Sequence, residues 1–82
     1  MPTISMFYGI IIKMFFSDHN PPHFHAVYGK FNGIIDINTL ELIEGDLPPR
    51  AIELIREWAT LYKKELSHIW ETQEFVKLPG LK

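Results

Sequence analysis

His23-Phe24-His25-Ala26-Val27-Tyr28-Gly29-Lys30-Phe31-Asn32-Gly33-Ile34-Ile35-Asp36-Ile37-Asn38 is the stretch on which the fold turns. On both sides of Gly29-Lys30 the residues are aromatic or β-branched, interleaved with polar ones, as half-buried strands require. A glycine at the turn supplies the positive φ that a tight hairpin asks for. The stretch therefore predicts a hairpin, His23 to Tyr28 against Phe31 to Asn38, and with it an antiparallel sheet. Gly33, inside the second arm, marks a bulge or a close approach of another segment.

Upstream, Ser17 to Pro22 reads as a stiff loop. Ser, Asp and Asn bond their own backbone in tight turns, and Pro21-Pro22 fixes two φ angles and removes two donors. Before it, Ile10 to Phe16 is a second strand by its β-branched and aromatic content, and Gly9 separates it from a first strand, Thr3 to Tyr8. Downstream, Thr39 to Glu44 fits either a strand end or a turn.

Gly45-Asp46-Leu47-Pro48-Pro49 predicts a helix start, with Asp46 near the positive end of the helix dipole and proline where no intrahelical donor is lost. Ala51, Ile55, Trp58, Tyr62, Leu66 and Ile69 then recur at three- and four-residue steps, widened by Ile52, Ala59 and Trp70, while Glu53, Arg56, Glu57, Lys63 and Lys64 hold the other side. A single helix to about Glu71 would be about 34 Å long at 1.5 Å per residue, leaving its last turns to overhang the sheet. The tail after it should be irregular, with Phe75, Val76 and Leu78 able to dock one extended segment. The expectation is an α+β fold: one domain over 1–82, mostly β in 1–45, helical in 48–71, with a tail in 72–82. An antiparallel sheet of about four strands packs against one long C-terminal helix.

The chain has 82 residues, 46% of them hydrophobic and 13% aromatic, and no cysteine. That composition argues for a folded core and excludes disulfides and thiolate metal sites. The net charge of −2 gives no basic field for a phosphate backbone. Asp36, Glu41, Glu44 and Asp46 form an acidic middle with no basic residue among them. Met1 to Ser5 lacks the basic lead of a signal peptide, and no run approaches the roughly 20 apolar residues of a membrane helix, so the expected location is cytoplasmic, without a membrane.

The chemistry is concentrated in Ser17-Asp18-His19-Asn20-Pro21-Pro22-His23-Phe24-His25, which holds three of the four histidines. Strand periodicity places His23 and His25 on one face and Phe24 on the other. Three accounts of this pair stay open at the level of residues. Two imidazoles with Asp18 or His19 as a third donor would suit a transition metal. The same groups without metal would suit acid-base chemistry, His23 and His25 exchanging protons, Asp18 orienting them, and Lys13 or Arg50 stabilising an anion such as an RNA phosphate. Tyr28, on the opposite face, would need a bulge or the sheet's edge to join them. The third account is purely structural: Asp18 and Asn20 cap a turn that the prolines stiffen. Arg50 stands in the first helical turn, where a cation opposes the dipole, which suits anion binding or a surface pair with Glu53 or Asp46.

The Asp18–His25 stretch, followed by Tyr28-Gly29 and by Leu40-Glu41-Leu42-Ile43-Glu44-Gly45-Asp46-Leu47-Pro48-Pro49-Arg50-Ala51, resembles a family of small bacterial proteins of unknown function, the DUF4160 type. The resemblance covers nearly the whole chain. Its signature positions are Asp18, His19, Pro21, Pro22, His23, Phe24 and His25 in the loop, and Pro48, Pro49 and Arg50 at the helix start. It implies a small cognate protein encoded nearby, in an arrangement resembling toxin-antitoxin pairs. On that implication the chain is a toxin-like component, a metal-independent ribonuclease needing no cofactor. Its catalytic set is Asp18, His23 and His25, and Lys13, His19, Tyr28 and Arg50 bind substrate. The alternative is a non-enzymatic binding module whose histidine pair, with Asp18, holds a transition metal or a protein partner; a homo-oligomer is also open.

Overall fold

The structure, a computed structural model, describes residues 3–15 and 18–81. It contains a five-stranded antiparallel sheet in the order β1-β2-β3-β4-β5, made of β1 Thr3–Phe7, β2 Ile10–Lys13, β3 His23–Tyr28, β4 Phe31–Asp36 and β5 Leu42–Gly45. Two helices follow, α1 Pro49–Leu61 and α2 Lys63–Thr72. The α+β class is as the sequence predicts; the fifth strand and the divided helix are not.

The hairpin at the centre has the expected form. Tyr28 pairs with Phe31 across Gly29-Lys30, and Gly29 has φ +59°. Counting back from that turn fixes every pair, His25 opposite Ile34 and His23 opposite Asp36. The β1–β2 turn is equally tight, with Tyr8 at φ +48° and Gly9 at +79° between the Phe7–Ile10 pair. The second strand ends at Lys13 rather than Phe16, and Phe16 itself, like Ser17, lies outside the described residues.

β5 arises because Asp36 closes the preceding turn. Its Oδ1 accepts the amides of Asn38 and Thr39, and Leu40 N–H donates to its carbonyl, so the chain reverses and returns beside β4 with a bulge at Ile34/Ile35. Gly33 is a site of close approach: a Cβ there would lie 2.7 Å from Leu42 Cδ1 and 2.8 Å from Leu47 Cδ1.

Sheet and helices bury one core. Ile4, Phe7, Ile10, Ile12, Phe24, Ala26 and Ile35 meet Ala51, Ile55, Trp58, Ala59, Leu66 and Ile69, the helical set being the predicted stripe. The helix breaks at Tyr62, whose φ of −117° and ψ of 22° leave the helical basin. A straight helix from Pro49 to Thr72 would run about 36 Å, beyond the molecule's longest extent of 30 Å. Bending lets Leu66 and Ile69 reach the core, so the last turns do not overhang. The start of α1 also differs from expectation. Pro49 occupies the first turn and Pro48 caps it without a side-chain bond, while Asp46 Oδ1 instead accepts the Asn32 amide on the sheet.

The tail is irregular yet anchored. Leu78 N–H donates to Ile4 O along the outer edge of β1, and Trp58 Nε1–H donates to Pro79 O at 2.8 Å. Phe75 and Leu78 pack against the core while Val76 is exposed. Among the described residues no helix is long and apolar enough to cross a membrane.

Candidate functional site

β3 sends Phe24 and Ala26 into the core, and so His23 and His25 stand on its other face, where the end of α2 reaches His23 through Trp70. The loop from Asp18 to Pro22, which includes a cis Asn20–Pro21 peptide, folds back over the start of β3. This brings a carboxylate five residues upstream against both imidazoles. Asp18 Oδ2 lies 2.8 Å from His23 Nε2 and 3.3 Å from His25 Nε2. The other oxygen, Oδ1, accepts the His19 amide at 3.1 Å.

His23 is the most constrained member. It is 7% exposed, its ring lies 5.1 Å from that of Trp70 near the end of α2, and its Nδ1 is 2.7 Å from Pro21 O. A carbonyl oxygen can only accept, so Nδ1 carries a proton and donates it. Nε2 then faces a carboxylate at 2.8 Å. If Nε2 is bare, two lone pairs confront one another. Either a proton or a metal ion must lie between them.

His25, more open, has its ring 4.4 Å from Phe15 and 5.2 Å from His23, both edge-on. Burial pushes the Asp18 carboxyl up. Hydrogen bonds from His25, His23 and the His19 amide, with the charge of His23, outweigh it and hold the group below its ordinary 3.8.

The three donor atoms of Asp18, His23 and His25 lie within 4.8 Å of one another. Ligands at about 2.0–2.2 Å around a tetrahedral zinc are about 3.3–3.6 Å apart. Of two separations in the site, 3.3 Å matches that spacing and 2.8 Å falls short of it by about half an ångström or more, so Asp18 and His23 would part slightly around an ion. The cluster opens into a groove of about 300 Å³ whose far wall is Ile34, Ile43 and Glu44. Those wall residues were absent from the sequence-derived set. Register alone would have placed Ile34 beside His25, since the two-residue turn dictates the count.

The remaining candidates disperse. Lys13 is the cross-strand partner of His25 on β2 and shares its face, but it does not line the groove. His19 is at the rim, its side chain 94% exposed and its Nδ1 3.6 Å from Asp18 Oδ1. Tyr28 stays on the opposite face, because β3 runs in unbroken register with both neighbours and offers no bulge. Arg50 pairs with Glu53 at 3.1 Å, both side chains 73% exposed, and is not among the groove's lining residues. Trp58 and Tyr62 are core or core-flanking as predicted; Trp70, also read as core, is half-buried and forms one wall behind His23.

A family model described as a domain of unknown function, DUF4160, matches residues 9–71, a span that includes the whole cluster, and the chain belongs to that family. No curated protein and no solved structure matches it.

Proposed function

We propose that this DUF4160 member is a binding module whose Asp18–His23–His25 cluster holds a divalent transition metal of the zinc class. One observation carries the reading: the Pro21 carbonyl fixes the proton on His23 Nδ1, which aims the Nε2 lone pair at the Asp18 carboxylate. An imidazole donating its second nitrogen to a backbone carbonyl is the usual support of a metal-bound histidine. Neutral imidazole and carboxylate donors suit zinc, iron, nickel or copper rather than calcium or magnesium. Untagged protein titrated with Zn²⁺ by calorimetry should take up one equivalent. Asp18→Ala, His23→Ala and His25→Ala should each abolish that heat, and a wild type that binds no zinc would end the proposal.

A second reading is favoured by one feature, the cation Lys13 directly across from His25. It supports a metal-independent ribonuclease acting as the toxin of a cognate pair, with His23 and His25 as acid and base. The uncovered sheet face, with Met6 65% and Ile43 50% exposed, supports a protein partner for such a pair. Expression should then arrest bacterial growth, and His25→Ala should relieve the arrest while the protein stays folded. Harmless expression of folded wild type removes this reading.

A further inference from the structure

Building on the metal reading, we propose that His19 is the fourth ligand, which swings in from solvent when the ion binds and closes the site. The three donors already in place leave a tetrahedral ion one position short. His19 is the group best placed to fill it. Its ring nitrogen is 3.6 Å from Asp18 Oδ1, on the carboxylate whose other oxygen faces both imidazoles. The His19 amide bonds the same Oδ1, so both the backbone and the ring of His19 lie beside the Asp18 carboxylate. With 94% of its side chain exposed, His19 gives up little more than its 3.6 Å contact to Asp18 Oδ1 when it moves, and rotation about its side-chain bonds carries the ring nitrogens through several ångströms.

The competing donor is Glu44, the other titratable group in the groove wall. It sits two strands away from His25, with Ile34 as the intervening register partner. At about 4.8 Å per strand its backbone is about 10 Å from that of His25, and a hydrogen-bonded strand holds it there. His19 rides instead on the loop that already delivers Asp18.

The consequence concerns what the metal does. An ion held by Asp18, His19, His23 and His25 has four protein donors and no open position for a substrate, which is the structural rather than the catalytic arrangement. All four ligands fall within residues 18–25, so the ion acts as a clasp on one loop and the first residues of β3.

The test compares untagged wild type, His19→Ala and Glu44→Gln in titrations with Zn²⁺ and Co²⁺, with azide added to the Co²⁺ forms. His19→Ala should weaken Zn²⁺ binding at least about 10-fold, the lower end of what an outer-shell loss alone costs. Azide should shift the Co²⁺ absorption of His19→Ala and leave wild type and Glu44→Gln unchanged. In wild type, Zn²⁺ should also move the His19 ring proton resonances. Unchanged affinity in His19→Ala, an azide-sensitive wild type, or weakening confined to Glu44→Gln each overturns the assignment while leaving a metal site standing. A wild type that binds neither ion overturns both.

Discussion

Replacing Asp18 by Asn keeps the shape of the side chain and removes its charge, and the structure says what that should cost. Asp18 Oδ2 takes one short bond from His23, at 2.8 Å, and one longer from His25, at 3.3 Å. A hydrogen bond to an ionised carboxylate is worth about 1.5–3 kcal/mol net, and the short His23 contact is the stronger of the two. The longer bond adds less. For a domain of this size each kcal/mol shifts the melting temperature by about 4–8 °C, giving an expected drop of about 6–24 °C for Asp18→Asn. The dependence on pH has a definite sign. The folded-state pKa of Asp18 is depressed below 3.8, so its contribution is complete above that value and is lost as pH falls through the lower folded value. Thermal melts of metal-free wild type and Asp18→Asn at a series of pH values check this. The two should differ at pH 6 and converge in acid, below the depressed pKa. A gap that persists undiminished in acid would refute the reasoning, because the loss would then come from shape rather than charge. The same variant should bind no Zn²⁺, since a neutral amide is a poor ligand beside two imidazoles.

Ser5 is 6% exposed and, among the described residues, its hydroxyl has no hydrogen-bond partner, so Ser5→Ala should raise stability by about 1 kcal/mol in urea unfolding. Gly33→Ala should lower it by about 1–3 kcal/mol, because the new methyl must displace Leu42 and Leu47; adding Leu42→Ala should not restore full stability, since Leu47 also crowds the position. Arg50→Ala should change stability by less than about 1 kcal/mol and leave Zn²⁺ affinity unaltered, since its ion-pair partner among the described residues is the equally exposed Glu53. A loss of zinc binding in that variant would show that the helix start does belong to the site.

The parts of the fold legible in the sequence were those written in local chemistry. Gly29 between two alternating arms sets the hairpin and, by counting, the register that puts His25 beside Ile34. The stripe from Ala51 to Ile69 identifies the helical face because burial selects it at every turn. The break at Tyr62 was not legible, since neither proline nor glycine marks it; the bend answers to the length of the sheet beneath, a property of the whole molecule. β5 was equally hidden. Leu42-Ile43-Glu44 carries a weak pattern, and what makes it a strand is the turn closed by Asp36 together with an edge of β4 left free to pair. Asp46 suited a helix cap by type and position, but the Asn32 amide on the sheet captured its carboxylate.

For the site, the residue types left a turn account standing against a metal account and an acid-base account, and the geometry shows that the turn and the histidine cluster share the same bonds. A loop that serves only backbone structure would satisfy its own amides and leave the histidines to solvent. Here the Asp18 carboxylate does both, one oxygen holding the His19 amide and the other facing two imidazoles. The Pro21 carbonyl, a backbone group of the turn itself, orients His23 by taking its Nδ1 proton. The turn is therefore the outer shell of the cluster. Stiffness in the loop and the fixed orientation of the His23 ring are consequences of the same few bonds. Changing the prolines should disturb the cluster as surely as changing Asp18 or His23.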